Sequence, residues 1–337
     1  MRSLLRLAVI AGMVVLGVYQ ATPTQADNGP HIGTGADPIP DKCAGCHRIH
    51  TGQDENLLRV SASQLCFGCH DSTGADTDVV NGLYLPAVGR GLRGGGFVNA
   101  SMDTDWDGAS SSAAVTSVHT TDGSTGTAWG NGAIGSGAGL AGFSLKCTNC
   151  HNPHGGAGAG GSPTYRILRS IPTGSGAASG VDVPDEVTKE YGVEDTGNKY
   201  FGQHYQWEID DGLSDWCSQC HTRYLALADS GRTHSSDPIF SYRHMSQGWS
   251  SDPDGCLRCH FINGQSSPPN PYETDPSIVM NPRCQTCHVS HGTTATMGAY
   301  SGAVPWPDGS TSPSGNERSS LLRLNNRGVC IMCHSDK

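Results

Sequence analysis

The pentapeptide Cys-x-x-Cys-His occurs seven times in this chain and uses every one of its fourteen cysteines. The copies are Cys43, Cys46 and His47; Cys66, Cys69 and His70; Cys147, Cys150 and His151; Cys217, Cys220 and His221; Cys256, Cys259 and His260; Cys284, Cys287 and His288; and Cys330, Cys333 and His334. Two thiols three positions apart reach the two vinyl groups of one porphyrin, and the adjacent histidine lies under the iron. A zinc ribbon would pair CxxC knuckles into one tetrahedral site and does not require a histidine after each pair. A disulfide framework leaves the seven following histidines unexplained, and closely spaced CxxC pairs are poor cross-links. The motifs therefore predict seven covalently attached haems, each with its motif histidine as proximal ligand.

Composition points the same way. Only 36% of the chain is hydrophobic and 7% aromatic, while glycine is 46 of 337 residues. Such a chain holds too few large apolar side chains for a conventional core of its length. The expected fold is a multihaem cytochrome c, mostly irregular coil with short helices, in which the chain of porphyrins is the core. The first 26 residues carry Arg2 and Arg6, an apolar run from Leu7 to Tyr19 and small residues before a cut after Ala26, the pattern of a secretory signal peptide. That run is thirteen residues, short of the roughly 20 that span a bilayer. The expected product is a secreted single domain, 27–337, without a membrane anchor. Its 19 basic and 31 acidic residues give a net charge of −12, which repels nucleic acid and anionic lipid.

Successive motifs begin 23, 81, 70, 39, 28 and 46 residues apart, which shows no fixed period. The longest interval, Asp71 to Lys146, is rich in Gly, Ser, Thr, Ala and Asp, and runs such as GRGLRGGG read as irregular loops and tight turns. Short helix is expected at each motif, and a few turns around Leu213 to Ala228.

Eight histidines lie outside the motifs: His31, His50, His119, His154, His204, His234, His244 and His291. Seven irons with two histidines each need seven of them, leaving one spare, which we assign to His234. His50, His154 and His291 each follow a motif histidine by three residues. A link so short cannot pass round a porphyrin, so each of these rings is expected on the iron of a neighbouring haem. His244, His119, His204 and His31 complete the distal set. With histidine in surplus, methionine is read as packing rather than as a ligand, and saturated low-spin irons suit electron transfer better than substrate binding. Asp103, Asp105 and Asp107, followed by Gly108, match the first half of a calcium loop, but Ala114 stands where such a loop places a bidentate glutamate.

The paired CHxxH segments, CHNPHGG followed by PTYRIL, the segment GLSDWCSQCHT and a last motif near the C-terminus resemble the outer-surface multihaem cytochromes of metal-reducing bacteria. In motif order the chain is similar to their hexahaem filament-forming branch, from which it departs by a seventh motif. The resemblance implies a continuous row of bis-histidine haems. It also implies homopolymers in which a histidine of one subunit ligates a haem of the next, a role His31 is expected to fill. Implied partners are other multihaem cytochromes and external acceptors such as metal oxides, with no nucleic acid. A periplasmic or outer-membrane-associated carrier is the alternative reading, and a multihaem reductase of a small oxyanion is a third. An enzyme of that kind needs an iron with an open position, which the histidine surplus argues against.

Overall fold

The computed structural model describes His31 and residues 43–85, 91–105, 110–131, 140–155, 165–183, 212–224, 284–298, 320–326 and 328–331. The leader 1–26, His204, His234, His244, the fifth motif with Cys256, Cys259 and His260, Cys333, His334 and Asp107 lie outside the described residues.

Among the described residues α-helix occurs at the motifs: α1 Cys43–Cys46, α2 Ala62–Phe67, α3 Cys147–Cys150, α4 Leu213–Ser218, α5 Cys284–Cys287 and α6 Gly328–Ile331. One turn suffices, because it sets two thiols on one side and carries the chain directly to the histidine. The amide of that histidine closes the turn on the carbonyl of the first cysteine, at 2.8 Å for His47 to Cys43 and 2.9 Å for both His151 to Cys147 and His288 to Cys284. Two helices run longer for local reasons. Ser61 caps α2 by accepting from the Gln64 amide, and α4 starts at Gly212, whose φ of 100° suits glycine. The helix expected from Leu213 to Ala228 is shorter than that, since the chain leaves helix after Ser218 and turns through the fourth motif.

The haem-free interval read as irregular loop holds most of the strands. These are β1 Thr77–Asp78, β2 Leu83–Tyr84, β3 Asn99–Met102, β4 Ser111–Ala114, β5 Ser117–Val118, β6 Thr125–Ala128 and β7 Leu140–Ser144, with β8 Gly292–Thr293 from the sixth motif. They form four antiparallel pairs, β1 with β2, β3 with β4, β6 with β7, and β5 with β8. Periodicity could not reveal them, because strands such as SSAA and NASM carry no alternation of apolar and polar residues.

Among the described residues two small apolar clusters sit beside the motifs. Ala100 and Met102 of β3 pack with Val289, Leu324 and Val329. Leu168, Val183 and Leu213 pack with Cys150, Trp216 and Cys217. The Trp216 indole donates to the Arg169 carbonyl at 2.6 Å, tying the third and fourth motifs together.

Candidate haem-ligating site

Among the described residues one unit is built three times, around the first, third and sixth motifs. After each CxxCH the chain returns through Asn56-Leu57-Leu58-Arg59, Arg166-Ile167-Leu168-Arg169 or Ser320-Leu321-Leu322-Arg323. In each, the amide after the motif histidine donates to the second residue of the returning segment: Arg48 to Leu57, Asn152 to Ile167 and Val289 to Leu321, all at 2.8 Å. The arginine amide donates back to the second cysteine, at 3.0 Å for Arg59 to Cys46, 2.8 Å for Arg169 to Cys150 and 2.9 Å for Arg323 to Cys287. The first two residues of every return lie in the left-handed region, with φ of 58° and 59°, 49° and 52°, and 53° and 60°. For residues such as Ile167 this is strained backbone that persists only where its surroundings fix it.

That backbone aims a carbonyl at the motif histidine. Nδ1 of His47 meets the Asn56 carbonyl at 2.8 Å, Nδ1 of His151 that of Arg166 at 2.9 Å, and Nδ1 of His288 that of Ser320 at 2.8 Å. His70 reaches the Thr77 carbonyl at 3.3 Å, with the Thr77 hydroxyl at 2.9 Å, and His221 the Trp129 carbonyl at 2.6 Å. A carbonyl can only accept, so Nδ1 carries the proton and Nε2 presents a lone pair. This is the outer-shell arrangement that orients a metal-ligating imidazole.

Among the described residues four motif histidines face a second histidine. Ring centroids are 5.9 Å apart for His47 and His154, 6.1 Å for His70 and His31, 6.5 Å for His151 and His291, and 6.2 Å for His221 and His119. Imidazole nitrogens bind first-row metals at about 2 Å, so two rings on opposite sides of one metal have centroids about 6 Å apart. The motif thiols, the free Nε2 atoms and these spacings fit a porphyrin iron held between two histidines.

The pairs follow a rule of succession. His154 of the second unit stands opposite His47 of the first, and His291 of the third opposite His151 of the second. His31 and His119 are held in a related way, their Nδ1 atoms donating to the carbonyls of Pro153 at 3.1 Å and Ser290 at 2.6 Å, each the residue before the last histidine of CHxxH in the next unit. Helices obey the same order. Ser63 of α2 lies 3.9 Å from the Cys147 thiol of α3, and Ser214 of α4 accepts from the Cys284 amide of α5 at 3.2 Å.

The ring of His31, expected on a haem of an adjoining subunit, lies beside His70 of its own chain. Its bond to the Pro153 carbonyl ties His31 to the second unit. His50 is exposed and, among the described residues, no histidine ring stands opposite it or opposite His288. His204, His234 and His244 cannot be placed, as they lie outside the described residues.

Glycine makes room for one ligand. A Cβ on Gly94 would lie 2.9 Å from Nδ1 of His291, and a Cβ on Gly95 would collide with the Gly292 carbonyl. The GGG run read as loop therefore lets the chain approach His291 closely, and the His291 amide donates to the Gly94 carbonyl at 2.7 Å. Enclosure keeps the rings neutral: burial lowers His221 to about 4 and His291 to about 3. It also depresses His151 and pushes the Cys150 thiol up to about 12.

Asp103 is buried, and the Asp105 carboxylate accepts from the Asn325 amide at 2.6 Å. Among the described residues no group of three metal-ligating side chains is gathered there or elsewhere.

A family described as "Doubled CXXCH motif" matches residues 37–75, the first two motifs with the return between them. The chain carries the doubled attachment motif of multihaem c-type cytochromes. Its last segment, LLRLNNRGVCIMCH, has the layout of LLRVSASQLCFGCH in the matched one. Among solved structures the chain is similar to the outer membrane cytochrome S filament from Geobacter sulfurreducens, at 17% identity and a TM-score of 0.37, with 89% of this chain and 99% of that one covered. No curated protein matches. No described helix is long and apolar enough to cross a membrane.

Proposed function

We propose that the chain is an electron-transfer protein that binds seven haems c and conducts along its length and from copy to copy outside the cell. The four facing histidine pairs carry this reading. Each motif supplies two thiols and a proximal imidazole, a distal imidazole closes the other side, and haem supplies one-electron redox chemistry when bound. Irons closed on both sides offer no position to a substrate, which favours a conductor over an oxyanion reductase. Seven occupied sites require the fifth and seventh motifs to be completed from His204, His244 and His234. Calcium at Asp103, Asp105 and Asp107 is not part of this reading, because Asp105 is committed to Asn325.

The order of succession supports a polymer and moves its junction from His31 to His50. The first unit takes its second histidine from the second unit, and the second from the third. Among the described residues no histidine stands opposite His288 of the third unit, and none opposite His50 of the first. His50 of one copy reaching His288 of the next closes the series. The face around His50 is apolar and open, with Ile49 78% and Leu57 51% exposed, whereas Leu321, the counterpart of Leu57, packs against a core cluster. Donors would be other multihaem cytochromes, and terminal acceptors metal oxides or partner cells. A secreted product at the outer surface suits such a role.

The test is His50→Ala, purified from the secreted fraction, with intact mass and negative-stain microscopy. The reading expects seven haem masses and no filaments. Long filaments from the variant would remove His50 from the junction, and a mass short of seven haems in the parent would break the count.

A further inference from the structure

The three returning segments end in an arginine, and its setting differs between units. Arg169 Nε donates to the Thr148 carbonyl at 2.7 Å, and Arg323 Nε to the Gln285 carbonyl at 2.7 Å, the same position inside each CxxC. Both backbones are pinned to the second cysteine of the motif. Arg323 is 1% exposed, Arg169 is half-buried and Arg59 is exposed. Among the described residues no carboxylate pairs with Arg169. Each Nε bond holds its guanidinium against the CxxC turn that leads directly into His151 or His288.

We propose that Arg169 and Arg323 are positioning residues that fix a positive charge beside the His151 and His288 ligand sites and raise the reduction potentials of the haems bound there. Uptake of one electron, from a neighbouring ferrous haem that is oxidised in turn, lowers the charge at the ligated iron by one unit. A fixed cation nearby therefore favours the reduced state. In an enclosed setting such a charge acts with little screening, while at Arg59 solvent weakens it. Electrons then rest preferentially at the second and third units, away from the first. This rests on the haem reading, and the parent's intact mass tests that reading separately.

The experiment is spectroelectrochemistry of the full holoprotein with Arg169→Gln, Arg169→Lys and Arg59→Gln. Arg169→Gln is expected to lower one component so that its reduced-to-oxidised ratio at fixed potential falls about tenfold, which is about 59 mV for a one-electron couple. Arg169→Lys, which keeps the charge and loses the fork geometry, is expected to stay near the parent, and Arg59→Gln to shift less than Arg169→Gln. Arg323→Gln gives an independent second reading at His288 if Arg169→Gln does not mature. An unchanged titration in Arg169→Gln or Arg323→Gln overturns the proposal. A shift in Arg169→Lys as large as in Arg169→Gln does so as well, since the effect would then be structural.

Discussion

The imidazole of His154 lies over that of His47 with ring centroids 5.9 Å apart and planes 20° apart, although the two belong to different haem motifs. His154 sits three residues past His151, so one short link serves two sites facing opposite ways. Replacing it should leave covalent attachment intact and free one side of a single iron. His154→Ala is expected to retain seven haem masses and to convert one iron from low to high spin. An all-low-spin spectrum would mean that another ligand serves His47.

The glycine run at 94–96 should be intolerant of side chains. Gly95 has φ of 72° and no room before the Gly292 carbonyl, so Gly95→Ala should cost more than about 2 kcal/mol. Gly94→Ala presses on His291 and should loosen the ligand opposite His151, visible as a high-spin fraction at unchanged haem content. Unaltered spin state in Gly94→Ala would show that the ring accommodates the methyl group.

Core and surface changes should separate cleanly. Leu324 is 2% exposed within the β3 cluster, and Leu324→Ala should cost about 2–5 kcal/mol. The Lys146–Glu55 ion pair is 3.2 Å long, and Glu55 is open to solvent. Glu55→Gln should change stability by less than about 1 kcal/mol. Denaturant titrations of both variants check this contrast, and equal losses would misplace the core.

Acid should destabilise the fold well above the point at which the buried rings protonate. His221 and His291 are depressed from 6.5 to about 4 and about 3, so the unfolded chain binds protons first as pH falls. Their contribution is fully present above pH 6.5 and declines below it, until the folded rings themselves titrate near 4 and 3. Denaturant midpoints measured from pH 8 to 4 should hold to about 6.5 and then fall. A flat profile would show that protonation of these rings does not limit the stability of the fold.

Haem chemistry was legible from the first motif onward, because CxxCH encodes its ligands locally. That His154 and His291 stand near the histidines of other motifs was readable as well, since a three-residue tether excludes the same iron. The partner of each ring was not, because His47 and His154 meet through contacts that no spacing records. The threefold unit escaped because loops of unequal length separate its copies. Its signal lay in the Leu-Leu-Arg and Ile-Leu-Arg returns, whose left-handed residues Asn56, Arg166 and Ser320 are not the glycines that usually announce such backbone. The neighbour of His31 was not legible either, since the Pro153 carbonyl that its ring meets is far away in sequence.

The central claim is that the motif irons are closed by histidines from successive units. Electron paramagnetic resonance of the oxidised holoprotein, integrated against its measured haem content, tests it most directly. The account predicts low-spin ferric signals for all seven haems in assembled material, and one high-spin iron per chain when His50→Ala blocks the junction at His288. A stoichiometric high-spin signal in the assembled parent would contradict it, and would point instead to an open iron of the kind an enzyme uses.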